Sequence, residues 1–309
     1  MSAAGKGFAG LDALGPVDFG RAVEDGFGIS AKSVSPLRGR SHSLNFKVAG
    51  PDGSARLFKC VRPGSGDAAR RLFAHLRSVR SRLVPELLFD GKTVDIGGCR
   101  VFAISWVDGE PQMPCSLPPG CASRLAERHA ELLGSLRDDG EILPARDLAA
   151  VRREILEKLG GNQRGELVRE VERMDESSLV RDPARTRVIH GDLNPGNVLW
   201  ANGDVSGFLD LEELRFGYPA EDLVRYVISG AEHVKWFEFW RTAGARRAFA
   251  EIVRHSRFPA DEWLLAINGY LLWKLRRKAS YAASALGLRM KWRLRLYRDM
   301  REIAAAAAP

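Results

Sequence analysis

Apolar positions change their period along the chain, and the changes divide it. The stretch from Phe19 to Phe27 reads as a short helix. Leu44 to Val48 and Leu57 to Val61 are apolar-rich segments on either side of Pro51-Asp52-Gly53, a turn signature, and predict a hairpin. From Asp67 to Arg82, Ala69, Leu72, Phe73, Leu76 and Val79 recur at three-and-four spacing, which predicts a helix with an apolar face and an arginine-rich outer face. Val101 to Val107 reads as a buried strand. Gly109, Pro111, Pro114, Pro118, Pro119 and Gly120 then interrupt regular structure.

After about residue 120 the period is helical. Leu125, Ala126, His129, Leu132, Leu133 and Leu136 share one face, and Val151, Ile155 and Leu159 share another. One short β segment interrupts: Val188-Ile189 lead into the loop 190–197, Val198-Leu199-Trp200 form a strand, Asn202-Gly203 a two-residue turn, and Phe208-Leu209 the returning strand. Asp222 to Ala308 is mainly helix. The expected organisation is a small strand-rich domain, 1–105, and a larger helical one, 106–309, with a cleft between them.

Composition narrows the function classes. With 309 residues, 45% of them hydrophobic and 28% charged, the chain is globular rather than disordered, and its 31 glycines and 15 prolines form no repeat. Lysine plus arginine (47) exceeds aspartate plus glutamate (39), a net charge of +8 that favours anionic partners such as phosphates, nucleotides, nucleic acid or a membrane surface. Cys60, Cys99, Cys115 and Cys121 form no C-x-x-C pair and have no histidine at zinc spacing, so neither a disulfide framework nor a zinc site is indicated. No signal peptide or membrane span is evident, and a reducing cytoplasm is the expected compartment.

The strongest chemical signal is His190-Gly191-Asp192-Leu193-Asn194-Pro195-Gly196-Asn197, with Asp210 at the end of the following hairpin. The Pro195-Gly196 turn folds Asn197 back beside Asp192, and the hairpin is expected to bring Asp210 alongside both. Two carboxylates and a carboxamide are hard oxygen ligands that suit Mg²⁺, an ion usually completed by water and substrate phosphates. The spacing is the phosphoryl-transfer pattern H-x-D-x-x-x-x-N.

On HGDLNPGNVLW (190–200) and FLDLEELRFGYPAEDL (208–223), the chain resembles the aminoglycoside phosphotransferase and choline kinase family, over nearly its whole length. The resemblance implies a bilobal α+β protein-kinase-like fold, with a small N-terminal antiparallel-sheet lobe that binds ATP and a larger, mainly helical C-terminal lobe for catalysis and substrate. It implies that Asp192 is the catalytic base or hydroxyl-orienting residue, that Asn197 and Asp210 hold magnesium, and that Asp222 braces the catalytic loop. His190 fits a loop-bracing imidazole better than a proton carrier.

In such a fold the phosphate-covering loop falls at Leu37 to Ser43, where Gly39, Ser41 and Ser43 allow close backbone approach to phosphate; a plain hairpin turn is the other reading. The resemblance makes Lys59 the ATP lysine, whereas an alternating strand also allows it a solvent-facing place. Two departures stand out. The helix expected to supply a glutamate to Lys59 has none, leaving Asp67, Glu86 or no partner at all, with His75 near the usual place. Glu212 follows Asp210 where protein kinases carry Asp-Phe-Gly, and resembles the acidic position of choline-kinase-like members.

A protein kinase fits poorly, because Gly191 replaces the arginine that reads a phosphorylated loop, and the segment from Asp210 to Asp222 is too short for such a loop. The expected reaction moves the γ-phosphoryl group of ATP to a hydroxyl of a small molecule: a sugar, an amino alcohol such as choline or ethanolamine, or an aminoglycoside. Basic residues such as Lys274, Arg276, Arg298 and Arg301, interleaved with Trp273 and Tyr297, argue mildly against a polycationic acceptor; the run reads first as a solvated helical face, and otherwise as a place for an anionic acceptor, a membrane surface or nucleic acid. Trp236, Phe237, Phe239 and Trp240, near Glu232 and Glu238, read as helix core or as an aromatic cage for a quaternary amine. No nucleic-acid-reading motif accompanies the charge. The competing class is a catalytically degenerate nucleotide-binding or interaction module of the same fold.

Overall fold

A computed structural model of the chain describes residues 15–37, 44–61, 66–138, 140–159, 166–233, 243–278 and 287–309. The chain divides into two compact units, Met1–Asp108 with Gly207–Glu212, and Gly109–Ser206 with Glu213–Pro309.

In the first unit, helix α1 (Pro16–Phe27) begins on proline, whose fixed φ suits a first helical position, and ends at Gly28, which adopts a φ of 68° and donates its N–H to the Glu24 carbonyl. Strands β1 (Ser33–Leu37), β2 (Leu44–Ala49) and β3 (Ala55–Val61), helix α2 (Gly66–Ser78), and strands β4 (Thr93–Ile96) and β5 (Cys99–Ser105) follow. The strands form one antiparallel sheet in the order β1-β2-β3-β5-β4. Phe19, Val23 and Phe27, one face of α1, are buried with Phe46, Val48, Phe58, Cys60, Val101 and Ala103 of the sheet. The Phe19 and Phe46 rings stack with centroids 3.9 Å apart.

Strand alternation then turns Lys59 to the opposite face. There its cross-strand partner is Phe102, which Phe73 of α2 meets edge-on with ring centroids 5.1 Å apart.

Two details depart from the sequence pattern. Strand β1, which the loop reading of Leu37 to Ser43 requires but gives no bounds, is built from the poor strand formers Ser33, Ser35 and Pro36; it is an edge strand, where proline is tolerated. The helix expected to run to Arg82 stops at Ser78, whose hydroxyl donates to the His75 carbonyl at 3.1 Å, and the chain turns to bury Leu83 and Val84. Gly39, Ser41 and Ser43 lie outside the described residues, as do Trp236, Phe237, Glu238, Phe239 and Trp240.

The second unit contains β6 (Glu110–Pro111), helices α3 (Cys121–Ser135), α4 (Leu148–Leu159) and α5 (Glu166–Glu172), then β7 (Arg187–Ile189), β8 (Val198–Ala201), β9 (Asp204–Phe208), whose last two residues belong to the first unit, and β10 (Arg215–Gly217). Helices α6 (Pro219–His233), α7 (Ala243–Ser256), α8 (Ala260–Lys278) and α9 (Gly287–Ala307) complete it. The β8–β9 hairpin turns through Asn202 and Gly203, both at positive φ (52° and 76°), the combination that matches strand twist in a two-residue loop. Buried Leu125, Tyr226, Phe249, Trp263 and Leu271 mark the helical core. Part of the basic C-terminal run is answered internally: Arg298 and Arg301 both bind the buried Glu170, at 3.1 and 2.5 Å.

Candidate functional site

The first unit carries Lys59. Its residue is 6% exposed, so the solvent-facing placement is excluded, and its ammonium meets the Asp210 carboxylate at 2.5 Å. A buried ammonium between apolar neighbours is costly unless paired, and Asp210 supplies the pairing that α2 lacks. The expectation that Asp67 or Glu86 would reach Lys59 is therefore corrected: both are exposed, and the partner is Asp210. Asp210 is presented by an unusual backbone, φ 57°, a left-handed conformation that aspartate adopts more readily than most residues. Just before it, the Phe208 N–H donates to the Leu83 carbonyl at 2.7 Å, tying the segment 207–212 to this unit. Arg71 of α2 donates to the Glu212 carbonyl at 3.2 Å.

The second unit carries the 190–197 loop, and Asp222 in the first turn of α6 organises it. The Asp222 carboxylate accepts the His190 and Gly191 N–H groups, each at 2.8 Å, and lies 3.1 Å from His129 Nε2 of α3. Asp222 is 1% exposed. Burial alone would push its carboxyl up, but the His129 bond, the imidazoles of His129 and His190 and the Gly191 N–H outweigh it and hold the group below its ordinary value. The bracing role that the resemblance implied for Asp222 is thus visible in the bonds it makes.

The glycine at 191 has a steric cause. Its φ is 75°, and a Cβ there would collide with the Glu213 carbonyl and stand 2.7 Å from Arg215 Nε. An arginine, as in protein kinases, has no room. His190 is fully buried, and its Nδ1 accepts the Asp192 N–H at 3.3 Å, a loop-bracing contact. Asn194 caps the next turn by accepting the Gly196 N–H at 2.9 Å. Asn197 folds back as expected: its Nδ2 donates to the Asp192 carbonyl at 3.0 Å, which leaves Oδ1 as the remaining hard donor of that side chain.

The Asp192 carboxylate forms an ion pair with Arg225, one turn further along α6 than Asp222. Arg225 and Arg146 each lie over the Trp273 ring, 4.9 and 5.3 Å from its centroid. Neither arginine was identified from the sequence, nor was His129 as a partner of Asp222. They come from two helices and the loop before α4, far apart in the chain, and no local spacing marks them.

An antiparallel sheet with a buried lysine, and a helical unit presenting a braced H-x-D-x-x-x-x-N loop, define a protein-kinase-like fold of the small-molecule branch. Residues 33–266 match the model of the phosphotransferase enzyme family APH, and the chain belongs to that family. Among solved structures it is similar to an aminoglycoside phosphotransferase from Streptomyces rimosus, with 19% identity, a TM-score of 0.55, and 83% of this chain and 97% of that one covered. It is also similar to a spectinomycin phosphotransferase solved with ADP and spectinomycin, with 11% identity, a TM-score of 0.59, and 96% and 99% covered. A third is an aminoglycoside 2'-phosphotransferase solved with GDP, with 16% identity, a TM-score of 0.53, and 95% and 99% covered. At these identities the likeness is one of fold. The uncharacterized protein YcbJ of Bacillus subtilis is 32% identical over 94 residues, 28% of this chain and 30% of that protein.

Proposed function

We propose that the protein transfers the γ-phosphoryl group of ATP to a hydroxyl of a small molecule. The observation that carries this reading is the Asp192–Asn197 loop, braced through its backbone by Asp222, in a chain of the phosphotransferase family. Asp192 orients the acceptor hydroxyl and takes its proton. The hydroxyl oxygen bonds to the γ-phosphorus, the bond from that phosphorus to the bridging oxygen breaks, and ADP leaves with the phosphate ester. Lys59 anchors the α and β phosphates. The donor set suits Mg²⁺: Asn197 and Asp210, a carboxamide oxygen and a carboxylate, would hold it, and it would neutralise phosphate charge. Sugars, amino alcohols and aminoglycosides are the acceptor classes to screen, with the cytoplasm as the compartment; among the described residues no helix is long and apolar enough to cross a membrane.

The missing helix glutamate favours a second reading, a nucleotide-binding module without turnover. Calorimetric titration of ATP and GTP, with and without Mg²⁺, separates the readings when combined with a transfer assay. Magnesium-dependent binding lost in Asp210→Ala, with transfer slowed at least a hundredfold in Asp192→Asn, supports the kinase. Binding without transfer to any acceptor supports the module, and no nucleotide binding refutes both.

A further inference from the structure

The second unit contains a small cleft, partly open to solvent, beside the 190–197 loop. Its walls include Gly191, Arg146, Arg215, Arg225, Glu221 and Asp222. The two acids of that wall are already engaged. Glu221 accepts from Arg181 at 2.7 Å and from the Tyr218 N–H at 2.9 Å, and Asp222 serves His129 and two backbone amides.

The cations are less well answered. Arg215 binds Glu213 at 2.7 Å, yet its side chain is only 8% exposed and its buried Nε has no hydrogen-bond partner. Arg225 holds Asp192, and its own Nε is likewise buried without a partner. Arg146 has no carboxylate within ion-pair distance among the described residues; it stands over Trp273. Burial, together with Arg215 and Arg225, pushes the Arg146 guanidinium down to about 10, still charged at neutral pH. Three arginines line one cavity, one of them with no carboxylate at ion-pair distance among the described residues and two with unused buried donors, and such an arrangement is completed by an anion.

We propose that this pocket receives an anionic group of the acceptor, a carboxylate or a phosphate, bound by Arg146 and Arg225. The proposal rests on the kinase reading and names the acceptor class for it. The anion also has a consequence for Asp192. Arg225 now holds that carboxylate, and an acceptor anion that draws Arg225 to itself releases Asp192 to meet the acceptor hydroxyl. A neutral acceptor leaves the pair intact, and a polycationic one sets ammonium groups against arginines.

The test titrates the full chain, saturated with ADP and Mg²⁺ so that the nucleotide phosphate site is filled, with D-glucose 6-phosphate, D-glucuronate, D-glucose and kanamycin. ADP affinity is measured first and reports on the kinase reading alone; if ADP does not bind, the same four titrations are run without it. The expected result is that at least one anionic probe binds ten times or more tighter than glucose and kanamycin. Preference for the phosphate or for the carboxylate names the group. Arg146→Ala should erase the preference and Arg146→Lys should keep part of it. Equal affinity for charged and neutral sugars on the wild-type protein, no binding by any probe, tighter binding of kanamycin, or an undiminished preference in a folded Arg146→Ala overturns the proposal. The wild-type comparison decides even where a variant fails to fold.

Discussion

Replacing Asp222 removes the carboxylate on which the catalytic loop hangs, and the cost can be worked from its bonds. Asp222→Ala strands two backbone N–H groups and the His129 imidazole in a site that is 1% exposed. Breaking a buried charged network by removing one member costs roughly 3–5 kcal/mol. Asp222→Asn keeps one acceptor oxygen but sets an amide NH₂ against a backbone N–H, a cost of about 1–3 kcal/mol. Against a domain stability on the order of 5–15 kcal/mol, both losses are readable as shifts in a urea midpoint followed by far-ultraviolet circular dichroism.

The pH dependence gives a second handle. The Asp222 carboxyl is held below its ordinary value of 3.8 in the folded chain, so the unfolded chain takes up the proton first as pH falls. The stability Asp222 contributes is therefore complete above its unfolded value and is lost as pH drops through the folded one. Asn has no such dependence, so the gap between wild type and Asp222→Asn should be widest near neutrality and close in acid. Coincident midpoints at neutral pH, or a gap that widens in acid, would refute the reasoning.

Two further outcomes follow from the site. Gly191→Ala forces a side chain onto a φ of 75° and into the Glu213 carbonyl; the left-handed backbone alone costs on the order of 1–3 kcal/mol, so the melting temperature should fall by several degrees, and an unchanged value would show that the loop is not locked there. Lys59→Met keeps an apolar stem in an apolar place but removes the ammonium, so calorimetry should show ATP affinity reduced at least tenfold; undiminished affinity would remove Lys59 from the phosphate site.

The parts of the molecule legible in the sequence are those with local causes. Asn202-Gly203 can only be a tight turn, and His190 to Asn197 lies within one loop, so its spacing survives without tertiary knowledge. Helix faces such as Leu125, His129 and Leu132 followed from period. What was not legible is long-range. The partner of Lys59 is 151 positions away, and nothing near the lysine announces it. Strand β1 exists because β2 offers it an edge, not because Ser33-Val34-Ser35-Pro36-Leu37 prefers extension. Arg146 and Arg225 carry ordinary helical or loop spacing, and their meeting over Trp273 depends on how distant segments pack.

The return of residues 207–212 to the first unit bears on how the chain is made. A ribosome releases α1, all five strands of the N-terminal sheet and Lys59 long before it reaches Phe208 and Asp210. Until then the lysine has no counter-ion in its apolar strand, and the Leu83 carbonyl lacks its N–H donor. The early segment is thus an unfinished body during synthesis, completed only when a six-residue stretch from two-thirds of the way along the chain arrives.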